Sequence, residues 1–125
     1  PEGKTVLSGD DALALASISV GAEGLVSVAA NVLPRRFRAL VDAARTGRRQ
    51  DAMAMQRELL PFMDALFVES NPIPLKTALK FCGLTGDRLR LPLVSAARAT
   101  KELMESVLAA LGCGYGYGRC DELLQ

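Results

Sequence analysis

Two short apolar segments separated by one brief helical stretch, with helical patterning everywhere after them, constrain this chain more than anything else in it. Thr5–Leu7 reads as a strand that stops at Ser8-Gly9 and runs into two adjacent carboxylates, Asp10 and Asp11. Leu25–Val28 reads as a second strand, reached through a helix over about Ala12–Val20 that Gly21 ends. Both strands read as mainly apolar, consistent with parallel strands buried on both faces. A right-handed crossover is the expected connection. Two such strands cannot close a sheet. The pattern predicts an α/β fold, the last part of a larger barrel rather than a complete one.

The remainder is helical. Pro34 suits a first turn, Phe37, Leu40, Val41 and Ala44 recur at helical spacing, and Gly47 closes the run. A second helix is predicted over about Arg49–Phe67, with Met55, Leu59, Phe62, Met63 and Leu66 on one stripe and Pro61 expected to kink it. A third runs from Pro74 to about Cys82 and a fourth over about Ala97–Leu111. Leu89–Leu93 is extended but bounded by Pro92 and is expected to be loop. The sequence divides into a portion that carries both strands (1–47), an all-helical portion (48–112) and a Gly/Cys/Tyr-rich tail (113–125) expected to be flexible.

Composition narrows the chemistry. Lys plus Arg number 15 and Asp plus Glu 14, and a formal net charge of +1 gives no reason to expect nucleic acid or an anionic membrane as a partner. The arginine groups Arg35, Arg36, Arg38 and Arg45, Arg48, Arg49 fit solvated helix faces and helix C-terminal caps. Neither a signal peptide nor a membrane-spanning segment is expected, and a cytoplasmic setting is the expectation. There is no histidine, which removes the commonest general base near neutral pH. Cys82, Cys113 and Cys120 make no metal-ligand pattern, so no metal and no cofactor is expected. Lys76 and Lys80 are expected to be surface lysines, because nothing local would depress either pKa.

The Gly9-Asp10-Asp11 corner is the first candidate for a site, since function in α/β barrels gathers at the C-terminal ends of the strands. Gly9 would admit a ligand close to the backbone, while Ser8, Asp10 and Asp11 could equally be caps for the following helix. Val26 is the second candidate: its carbonyl could face a reaction center, or the residue could serve packing alone.

The segments VLSGDDALAL, GAEGLVSVAANVLP, LFVESNPIPLKTALKFCGL and LRLPLV together resemble the C-terminal part of the dihydrodipicolinate synthase family, over about Thr5–Gly112. That family belongs with the pyruvate-dependent aldolases, N-acetylneuraminate lyase among them. The resemblance implies a (β/α)8 TIM barrel whose last two strands lie here, followed by a C-terminal helical extension. It implies a lyase that condenses pyruvate with aspartate semialdehyde, on the route to lysine and diaminopimelate, through a Schiff-base lysine. The family's lysine and proton-relay tyrosines would lie in the absent N-terminal barrel half, so no catalytic residue is expected in this segment, which alone should be inactive. The substrate pocket would receive Gly9, Asp10 and the Val26 carbonyl. Asn31 and Asn71 match family positions expected to be structural, and Leu75-Lys76-Thr77-Ala78-Leu79 lacks the aromatic usual there. Implied partners are the two substrates, the missing barrel half and further copies of the chain. A sibling aldolase and an inactive helical interaction module are the alternatives. FVESNPIP favors the synthase.

Overall fold

The computed structural model describes residues 3–114 of the chain. Its elements are β1 (Leu7–Ser8), α1 (Ala14–Ser19), β2 (Gly24–Leu25), a 3-10 turn (Ala29–Asn31), α2 (Pro34–Arg45), α3 (Arg49–Ala65), α4 (Ile73–Phe81) and α5 (Arg98–Ala110). Among the described residues there are two strands, and they pair in parallel, Leu7 opposite Gly24 and Ser8 opposite Leu25. Leu89–Leu93 forms no strand, as expected from Pro92.

Both strands are shorter than their apolar sequences predict. Two backbone bonds flank the paired residues, Glu23 N–H to the Val6 carbonyl and Val26 N–H to the Ser8 carbonyl, each 2.8 Å. Val28, expected in the second strand, has helical dihedrals (φ −75°, ψ −46°) and its N–H bonds a side chain instead. The expected burial on both faces also fails. Val6 is 59%, Leu7 49% and Val26 66% exposed. No third strand is described beside the pair, so these apolar side chains face open space.

The core is helical. Val32 and Leu33 before α2 join Phe37, Leu40 and Ala43, spaced to fall on one helix face. Leu59, Phe62, Met63 and Leu66 answer from α3, and Met104, Leu108 and Leu111 from α5. Val41, Ala44, Met55 and Val107, expected on these stripes, are half-buried at their margins. Residues on both sides of position 47 thus share one core.

Chain punctuation works as the glycines predict. Gly47 and Gly83 follow α2 and α4 with φ of +76° and +70°, a region that costs other residues strain. Pro61 does not break α3, which runs continuously through it. Pro61 and Arg57, whose carbonyl loses its helical donor, are both exposed, so water can satisfy that carbonyl. The Asn71–Pro72 and Leu91–Pro92 peptide bonds are cis. Cys113, expected to open the tail, is 6% exposed; its N–H bonds the Leu108 carbonyl at 2.8 Å and closes the end of α5. Tyr115, Tyr117 and Cys120 lie outside the described residues.

Candidate functional site

Parallel pairing puts the residues that leave β1 and β2 at one end of the sheet. Gly9 follows Ser8, and Val26 follows Leu25, so the register sets these two candidates side by side. Both are exposed, as is Asp10. A Cβ on Gly9 would meet nothing within 4 Å. Ser8 Oγ donates to the Asp10 carbonyl (3.1 Å) and accepts from the Asp10 N–H (3.3 Å), which folds the corner tightly.

The two carboxylates separate in role. Asp10 Oδ1 accepts the Leu13 N–H at 3.1 Å, three residues on, the bond an N-cap makes. The helix proper starts later, at Ala14, and its own flanking residue Leu13 carries no side-chain cap. Asp11 does not cap this helix with its side chain. It is 2% exposed and its carboxylate reaches across to the segment that follows β2. Oδ1 accepts from Ser27 Oγ, while Oδ2 accepts the N–H groups of Val28 (3.0 Å) and Ala29 (3.1 Å). Ser27 Oγ also accepts the Ala30 N–H at 2.8 Å. Asn31 Nδ2 donates to the Val28 carbonyl at 2.9 Å, so this asparagine holds the same turn. Sequence reading left Asp11 between a local cap and a ligand-facing group, because its partners lie 16 to 18 residues away, where no local pattern reveals them.

The remaining candidates stand apart from this corner. Lys80 is exposed and pairs with Asp87 at 2.8 Å; Lys76 is half-buried on α4. Among the described residues no group of three or more His, Cys, Asp or Glu gathers where a metal could bind, and no helix is long and apolar enough to cross a membrane. An open groove of about 460 Å³ runs beside β2, lined by Leu7, Leu25, Phe37, Val41 and Arg45 among others; it does not include Gly9, Asp10 or Val26. Several arginines are engaged in ion pairs. Arg38 pairs with Asp42 and Arg48 with Asp51 along the helix surfaces. Arg36 bonds Glu58 on α3 and the Leu111 carbonyl at the end of α5.

Comparison with known proteins supplies what the geometry lacks. The chain is 44% identical over 108 residues to the 4-hydroxy-tetrahydrodipicolinate synthase of Methanocaldococcus jannaschii, covering 86% of this chain and 37% of that protein. It is 45% identical over 107 residues to the synthase of Moorella thermoacetica, with the same coverage. The dihydrodipicolinate synthase structure from Aquifex aeolicus superposes with a TM-score of 0.88 at 37% identity, over 91% of this chain and 39% of that one. The chain therefore spans well under half the length of these relatives. The profile of the Dihydrodipicolinate synthetase family matches residues 1–111. With the parallel strand pair, the SGDD corner and these likenesses together, the chain belongs to the dihydrodipicolinate synthetase family.

Proposed function

We propose that these 125 residues are the C-terminal portion of a (β/α)8 enzyme that condenses pyruvate with L-aspartate-4-semialdehyde, a 4-hydroxy-tetrahydrodipicolinate synthase. Residues 1–47 complete the barrel wall, and residues 48–112 form the helical extension. The observation that carries this reading is the parallel β1–β2 pair whose apolar residues Val6, Leu7 and Val26 stand exposed. An interior barrel stave needs neighbors on both sides, and unpaired edges of buried-type strands favor association. The open groove beside β2, between Leu25 and Val41, offers a place for the next stave and its helix.

In this reading a lysine outside the segment condenses with the pyruvate ketone and releases water. The resulting imine accepts the electron pair when a methyl proton leaves, and the enamine carbon attacks the aldehyde to form the new C–C bond. Gly9, Asp10 and the Val26 carbonyl border the pocket in which this occurs, at the strand ends where barrel enzymes concentrate their chemistry. The motif FVESNPIP favors this substrate pair over that of the neuraminate lyases. A cytoplasmic setting and self-association of the complete protein belong to the same proposal.

Borohydride reduction in the presence of pyruvate tests it. The 125-residue chain should take up no pyruvate at Lys4, Lys76, Lys80 or Lys101. A longer chain that supplies the preceding staves should be labeled at one lysine outside this segment. A stable adduct on Lys76 or Lys80 would overturn the reading.

A further inference from the structure

The carboxylate of Asp11 is buried, accepts three hydrogen bonds and lies one residue beyond the exposed corner. A buried carboxylate is costly unless it is fully bonded, and this one is bonded only toward the segment that follows β2. We propose that Asp11 is a positioning residue: by tying Ser27, Val28 and Ala29 to the end of β1, it fixes the Val26–Ser27 peptide that presents a carbonyl to the substrate. This inference rests on the reading under Proposed function, from which the role of the Val26 carbonyl comes.

The geometry leaves that peptide little freedom. On its N-terminal side, the Val26 N–H is held by the Ser8 carbonyl at 2.8 Å. On its C-terminal side, Ser27 Oγ and the Val28 N–H are held by Asp11. Ser27 Oγ then receives the Ala30 N–H, so the same hydroxyl links the strand end to the 3-10 turn that leads into α2. A segment with extended backbone before it and helical backbone after it must turn at this point, and Asp11 holds the turn. Asp10 bonds elsewhere: its Oδ1 accepts the Leu13 N–H at 3.1 Å, at the exposed corner. The adjacent carboxylates thus divide the work, one for the corner and one for its neighbor.

Asp11→Asn keeps the shape but replaces one acceptor oxygen with a donor, so it cannot accept all three bonds. Two measurements separate positioning from bulk stability. In the 125-residue chain, amide hydrogen exchange should speed up at least about tenfold at Val28 and Ala29 in Asp11→Ala, which removes the oxygen that both N–H groups share, with α3 and α5 unchanged. Equal exchange rates would overturn the proposal. In a full-length chimera carrying residues 5–112 in place of the matching region of the Methanocaldococcus jannaschii synthase, kcat is measured per pyruvate-trapped site. Asp11→Asn should lower it at least about tenfold, and Ser27→Ala less, with the extent of trapping preserved. A purely structural role would reduce the number of trapped sites and leave kcat per site unchanged, which would also overturn it. If the unsubstituted chimera traps no pyruvate, the failure lies with the underlying functional reading, and the catalytic part of this inference falls with it.

Discussion

Arg36 Nη2 donates to the Leu111 carbonyl at 2.8 Å, joining the first turn of α2 to the end of α5 across 75 positions of sequence. The same guanidinium meets Glu58 Oε1 at 2.6 Å. One side chain therefore ties three helices, and it caps a carbonyl that α5 cannot satisfy itself. Arg36→Met should destabilize the chain by about 1–2 kcal/mol, because a charge-assisted bond to a helix end is lost. Glu58→Gln should cost less than about 1 kcal/mol, since that pair is largely solvated. Urea titration followed by far-ultraviolet circular dichroism measures both.

The helical core, rather than the sheet, holds these residues together. Leu40 is fully buried between α2 and its neighbors. Leu40→Ala should cost about 2–5 kcal/mol through lost burial and the cavity left behind. Leu60→Ala, on the exposed side of α3, should change stability by no more than about 0.5 kcal/mol. Equal effects in thermal unfolding would contradict the packing described here.

Acid should weaken one surface link. The Lys80 ammonium hydrogen-bonds Asp87 and holds its carboxyl below the ordinary value of 3.8. A folded-state pKa that is depressed stabilizes the folded chain above the unfolded-state value, and that contribution disappears as pH falls through the folded-state value. Asp87→Asn should therefore be slightly less stable than the parent near neutral pH. The difference should close as pH falls below 3.8, and it should shrink with added salt. Stability measured across the acid range for both proteins checks the sign.

The strand surface makes the sharpest contrast between segment and barrel. Val6 is 59% exposed here. Val6→Thr should shift the unfolding free energy of the 125-residue chain by no more than about 0.5 kcal/mol. In a completed barrel, where the same side chain would be covered, it should cost more than about 1 kcal/mol. Similar costs in both settings would mean that no further layer covers β1.

Helix positions were legible because their signals are local. Pro34 opens α2, and Gly47 and Gly83 follow α2 and α4 in the left-handed backbone region that glycine tolerates. The stripes of α3 and α5 read correctly since Leu59, Phe62 and Met63, or Met104 and Leu108, need only helical spacing to share a face. Strand length was not legible. A ladder depends on its neighbors, and Val28, apolar and β-branched, turns helical where Asp11 takes its N–H. The exposed corner residues Gly9, Asp10 and Val26 could be named from sequence, and their nearness follows from parallel pairing. Asp11 read locally as either a cap or a ligand-facing group. Its work lies in contacts with Ser27, Val28 and Ala29, which only the folded chain brings within reach.

The most direct measurement is aldol condensation by the chimera that carries residues 5–112 within the Methanocaldococcus jannaschii synthase. If this segment supplies the closing staves and the pocket border, the chimera should consume both pyruvate and aspartate semialdehyde, with reduced pyruvate mapping to a lysine outside residues 5–112. A folded chimera that forms no pyruvate adduct, or one whose adduct maps within residues 5–112, would contradict the account.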